Sequence, residues 1–186
     1  MRRSASGLIL GYHGCDADAA EKVLAGAPFK ISRNKYDWLG EGAYFWENDA
    51  RRGLRWAQEA DRRGAVVKKP AVVGAVIDLG YCLDLTTQAS LDVIVSAYDN
   101  LKALSEVLDE ALPANTDALR RPLDCFVLNY LHESMPEPKF QTVRGVFPEG
   151  GPLYPGAFIE ARTHVQVAVR DLSCIRGVFR VPADGL

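Results

Sequence analysis

The residues best suited to chemistry fall in three short stretches. Near the start, the apolar run Leu8-Ile9-Leu10 leads to His13-Gly14. An imidazole can donate, accept or carry a proton near neutral pH, and a glycine beside it lets backbone N–H and C=O groups approach a ligand closely. Cys15 follows at once, so a cysteine–histidine nucleophilic pair is open if the strand continues and sets both residues on one side. The second stretch is Leu39-Gly40-Glu41-Gly42-Ala43-Tyr44-Phe45. Its glycines permit a tight turn that aims Tyr44 inward, where the ring offers a face to a flat or cationic group. The third runs from His164 to Asp171 and alternates, with Val165, Val167 and Val169 on one side and His164, Gln166, Ala168 and Arg170 on the other. Gln166 brings an amide that donates and accepts but carries no charge. Each stretch also has a plain structural reading: a satisfied histidine, core aromatics, an exposed strand glutamine.

The loop 28–42 adds polar candidates. Ser32, Arg33 and Asn34 lead to Trp38. Arg33 is either a bidentate clamp for a phosphate or a solvated loop arginine. Trp38 is placed to wall a pocket and exclude water. Glu41, Glu47 and Glu160 are carboxylates near these stretches, and Tyr154 lies in the proline- and glycine-rich segment 148–156.

These residues need elements to hold them. The pattern predicts a strand over 8–12, a helix over 17–24 capped by Asp16 and stopped by Gly26, and a short aromatic strand over 43–46. A helix over 50–62 follows, with Leu54, Ala57 and Ala60 inward and Arg51, Arg52 and Arg55 mostly solvated. A valine-rich strand spans 71–79, and 83–85 extends that layer. Thr87 caps a helix reaching about Leu112, ended by Pro113. A second amphipathic helix covers 121–133. Strands follow at 140–147, 163–170 and 174–181. This is an α+β pattern, read as one domain over 1–186 with a helical insertion at about 87–135.

Bulk properties narrow the class. With 22 basic and 24 acidic residues, the net charge of −2 provides no global basic field for nucleic acid. No run approaches the roughly 20 apolar residues that cross a bilayer, and Leu8–Leu10 is too short for a signal-peptide core, so a cytoplasmic protein without membrane partners is expected. Cys15, Cys82, Cys125 and Cys174 share no C-x-x-C spacing, which argues against structural zinc and no metal is expected. Cys82, Cys125 and Cys174 read as small buried apolar residues, and Cys15 as one that can line a pocket.

The ordered trio of a strand ending in His-Gly, a Leu-Gly-x-Gly-x-Tyr-Phe segment before a capped helix, and a late alternating strand resembles the diphtheria-toxin-like and poly(ADP-ribose)-polymerase-like branch of the ADP-ribosyltransferases. The resemblance implies a split β-sheet core of two packed sheets around a nicotinamide pocket, with NAD as co-substrate. It implies that His13 contacts the adenine-side ribose, that Gly14 holds the nicotinamide carboxamide, and that Tyr44 stacks on the nicotinamide ring. Ser32 and Arg33 join the cofactor-binding set. Gln166 falls where the family has its glutamate. That departure removes a charge that would stabilise the developing cation, and a general base. The implied activity is mono-ADP-ribosyl transfer to an unknown protein, nucleic acid or small molecule, in the manner of a bacterial toxin or phage-defence effector with a neutralising antitoxin as a further partner. Two alternatives stay open: a catalytically degenerate module that binds NAD or ADP-ribose, and an unrelated α+β protein.

Overall fold

The computed structural model describes residues 7–62, 67–116, 120–182 and 186. Strand β1 (Leu8–Asp16) runs into helix α1 (Ala17–Leu24). Asp16 makes the junction: one carboxylate oxygen accepts from Asp18 N–H at 3.0 Å, and the other accepts from the Lys68 and Lys69 N–H groups at 2.7 and 3.0 Å. Four residues more than expected are strand, because β1 pairs along its whole length with β3 (Pro70–Asp78), from Leu8↔Asp78 to Asp16↔Pro70. His13 and Gly14 therefore lie within a strand rather than at its end.

Strand β2 (Ala43–Glu47) precedes helix α2 (Ala50–Arg62). Asp49 opens α2 by accepting from Arg52 N–H at 2.8 Å. Strand β4 (Cys82–Asp84) is followed by α3 (Gln88–Leu108), capped by Thr87 and closed at Asp109 in the left-handed region (φ 53°). That residue ends the helix four positions before Leu112. Helix α4 (Pro122–Ser134) has proline in its first turn and borrows a distant cap, since Asn115 Oδ1 accepts from Leu123 and Asp124 N–H. Strands β5 (Thr142–Phe147), β6 (His164–Val169) and β7 (Ile175–Arg180) follow.

Among the described residues seven strands form one mixed sheet in the order β4-β5-β6-β2-β1-β3-β7. Only β4 and β5 run parallel, linked by the α3–α4 excursion. The expected two packed sheets are therefore corrected to a single sheet. The reason is the seam between β1 and β2, which keeps register at Gly11↔Glu47 and Tyr12↔Trp46. Beyond that seam the His13 side chain takes over, its Nδ1 lying 2.8 Å from the Tyr44 carbonyl oxygen.

Two cores cover the two faces. On one, α1 packs over Cys15, Phe45, Val73, Ala75, Ile77, Val167 and Val169. On the other, α4 residue Leu128 joins Leu39, Leu83, Val143, Phe147 and Ala168. Helix α2 covers the β1–β3 end of this second face through Gly53: a Cβ on Gly14 would run into the Gly53 carbonyl. All four cysteines are free and buried: Cys82, Cys125 and Cys174 as expected, and with them Cys15, which was expected near a pocket. Among the described residues no helix is long and apolar enough to cross a membrane.

Candidate active site

The three stretches lie on three adjacent strands, because β6, β2 and β1 are neighbours. Trp46 pairs directly with Gln166 on one side and with Tyr12 on the other. Strand alternation then sorts the candidates. Gly14, Tyr44, Trp46, His164 and Gln166 share the face covered by α2 and α4. His13, Cys15 and Phe45 point to the α1 face.

His13 is wedged among aromatics. Its ring meets Phe29 edge-on at 5.3 Å and Phe45 at 5.7 Å. Burial holds its pKa below the usual value, only partly offset by the bond to the Tyr44 backbone. The carbonyl partner requires the proton on Nδ1. Cys15 does share this face, but burial and the adjacent Asp16 push its thiol up to about 11. A protonated thiol is a poor nucleophile, so the cysteine–histidine pair has no support here.

Tyr44 is a structural tie within its own turn. Its hydroxyl donates to Gly40 O at 2.7 Å and accepts from Leu39 N–H at 2.9 Å, and its ring packs on the Leu39–Leu128–Ala168 core. Gly40 sits at φ 74°, a conformation that suits glycine, so the turn aims the tyrosine inward as expected. The close backbone approach that Gly14 allows is taken by α2 on its open face.

Gln166 stands in a polar cluster. Its Nε2 lies 3.0 Å from His164 Nε2, and His164 Nδ1 lies 2.7 Å from the Arg162 carbonyl oxygen. That carbonyl places the imidazole proton on Nδ1, so His164 Nε2 accepts from the Gln166 amide. Burial lowers the His164 pKa, and the Arg52 charge lowers it further. The Gln166 amide oxygen meets no donor among the described residues and is left to accept.

Around these two residues the cluster carries charge. Arg52 Nη2 donates to Glu149 Oε2 at 2.8 Å, and the guanidinium lies over the Trp46 ring, 5.6 Å from its centroid. Arg162 donates to Glu59 at 3.2 Å and lies 3.9 Å from Glu149. The sequence reading of Arg52 as solvated is corrected: the residue is 8% exposed. It is buried because the segment after β5 folds Glu149 onto it, and a long guanidinium tolerates burial only with such a partner. Arg52, Trp56 and Glu59 lie at i, i+4 and i+7, one stripe of α2. That spacing was the available signal for Arg52 and Glu59. Arg162 and His164 are two residues apart, but nothing local pointed to Glu149, which reaches Arg52 only through tertiary folding.

The remaining candidates lie apart from Gln166. Glu47 faces away and is held by Arg144 at 2.6 Å, with Asp84 on the same guanidinium. Glu41 pairs with exposed Arg33 at 3.4 Å. Ser32 bridges to Gly42 and accepts from Asn34. Glu160 braces its own loop, accepting from Gly151 N–H at 3.4 Å, and Tyr154 is exposed. Trp38 does wall a cleft: with Phe147, Arg121 and residues of α3 and α4 it lines a groove of about 350 Å³. Its ring also stacks on His164 at 6.1 Å, which joins that groove to the polar cluster. Among the described residues no group of three or more His, Cys, Asp and Glu side chains could hold a metal ion. No protein-family model, curated protein or solved structure matches this chain.

Proposed function

We propose that this chain is an NAD-dependent mono-ADP-ribosyltransferase whose fold is a variant of the split-sheet transferase core. One observation carries the reading: the His13-Gly14, Tyr44 and Gln166 stretches, far apart in sequence, occupy the adjacent strands β1, β2 and β6. A forking β1–β2 seam held by His13 accords with a sheet descended from two halves.

In this reading nicotinamide leaves C1′ of the ribose with the bonding electron pair, and the ribosyl cation is captured by an acceptor that loses its proton. Gln166 positions the ribose: His164 holds the amide nitrogen, so the amide oxygen is directed to accept from a ribose hydroxyl. It adds no charge to the transition state. Arg33 is exposed and its pairing with Glu41 is weak, so it is free to exchange that partner for a pyrophosphate. Trp38 and the groove beside it shield the cluster from water.

The second reading is a module that binds NAD or ADP-ribose without turnover. Gln166 favours it, since Glu41, Glu47 and Glu160 all have other partners. Release of free nicotinamide separates the two readings. Wild-type turnover that falls by about tenfold to a thousandfold in Gln166→Ala supports the transferase. Turnover that appears only in Gln166→Glu supports the module. If NAD neither turns over nor raises the melting temperature of any of the three proteins, both readings fail.

A further inference from the structure

Arg52 is the buried arginine among the described residues, with a side chain 9% exposed. One nitrogen, Nη2, donates to Glu149. The other two, Nε and Nη1, are buried and meet no acceptor among the described residues. The same holds for the indole Nε1 of Trp46, whose ring the guanidinium overlies. Three buried donor nitrogens thus sit on two touching residues, next to Gln166 across the β2–β6 pairing. Buried donors without acceptors are costly and rare. An apolar side chain in place of Arg52 would fill such a site without that cost.

The geometry points to an oxyanion-binding site in which Arg52 Nε and Nη1 and Trp46 Nε1 take the phosphate or carboxylate group of a ligand, with Glu149 as the chain's own competing carboxylate. Charge bookkeeping requires the competition. Glu149 and Glu59 face Arg52 and Arg162, and Asp49 stands close enough to act on His164, whose pKa burial holds below its ordinary value. An incoming anion is accommodated when it replaces Glu149 rather than joining it. The chain around Glu149 suits such an exchange. The Glu149 backbone is held, its carbonyl accepting from Arg162 N–H at 2.7 Å, so the exchange is a swing of the Glu149 side chain toward the exposed residues 150–156. The site needs no transferase activity and stands whether or not NAD is the substrate.

The test uses the full chain labelled with ¹⁵N. The three tryptophans give three indole N–H resonances, and Trp46→Phe assigns the one for Trp46. Sodium phosphate and sodium acetate are titrated separately, each against sodium chloride at matched ionic strength. At least one of the two anions is expected to move the Trp46 resonance saturably in the wild type. In Glu149→Gln the apparent affinity should tighten by about tenfold or more, because the competing charge is gone. Preference for phosphate assigns a phosphorylated ligand, and preference for acetate a carboxylate. Arg52→Lys, which keeps the charge but loses the fork, should lose the saturable shift. The inference is overturned if neither anion moves the Trp46 resonance more than chloride does, or if wild type and Glu149→Gln bind equally. Should a variant fail to fold, the wild-type titration decides alone.

Discussion

His13 and His164 occupy opposite faces of one sheet and make the same first bond. Each Nδ1 faces a backbone carbonyl, at 2.8 and 2.7 Å, and burial lowers both pKa values. Their surroundings differ. His13 touches Phe29 and Phe45 in an apolar core. His164 lies beside Glu149, Arg162 and Gln166, with Arg52 near enough to depress its pKa. One histidine mends a fork in the sheet. The other keeps an amide oriented in a charged pocket. An equal first bond and an equal tautomer therefore say little about duty; the neighbours decide it.

The largest expected effect tests whether the two faces differ in what holds them. Phe45→Ala removes a fully buried ring from the His13 face and should cost about 3–5 kcal/mol by denaturant unfolding. On the other face, Glu149→Ala strands the Arg52 charge and should cost a similar ~3–5 kcal/mol. The double replacement Arg52→Met with Glu149→Met should recover most of that loss, since an apolar pair no longer needs desolvated charge. A double variant as unstable as Glu149→Ala would show that the pair is there for stability, and the contrast between faces would weaken.

A smaller effect concerns Tyr44, which shares the face of His164. Tyr44→Phe leaves Leu39 N–H and Gly40 O without their hydroxyl partner and should cost about 1–3 kcal/mol. A loss well under that range, measured by the same unfolding experiment, would show that the turn at 39–44 is held by its glycines alone.

Next comes pH. All three histidines, His13, His132 and His164, have pKa values lowered in the folded chain. The unfolded chain therefore binds more protons below its ordinary histidine pKa, and stability is complete above about pH 6.5 and falls as the solution is acidified below it. Each buried histidine contributes at most about 1.4 kcal/mol per pH unit to that slope. His13→Gln and His164→Gln should each flatten it. Glu149→Gln should lower the His164 pKa further and leave His13 unmoved, because the Glu149 charge raises only the former. Imidazole NMR titrations read this directly, and equal movement of both rings would erase the distinction between the faces.

The smallest effect on stability is at Arg33. It is 73% exposed on its side chain, so Arg33→Ala should change unfolding free energy by no more than about 0.5 kcal/mol. If Arg33 exchanges Glu41 for pyrophosphate, the same variant should weaken NAD binding by about tenfold in calorimetry. Unchanged affinity would remove Arg33 from the proposed site.

Local pattern was enough for much of this protein. Asp16 before Ala17, with Gly26 beyond Leu24, marked α1 because capping chemistry acts within a few residues. Alternation from His164 to Arg170 placed Gln166 opposite the valines, because strand geometry has a period of two. Cys82, Cys125 and Cys174 read as buried, and they are. What period and caps leave open is which neighbour each face meets. The seam at Gly11 and Tyr12 made one sheet where two were expected, since pairing between strands is a long-range choice. Gly14 met Gly53 of α2, and Tyr44 turned its hydroxyl onto its own loop. Arg52 looked like a surface residue on an arginine-rich helix. It became a buried cation only when Glu149, 97 residues later, folded onto it, because a charge leaves water only where the tertiary structure brings a partner.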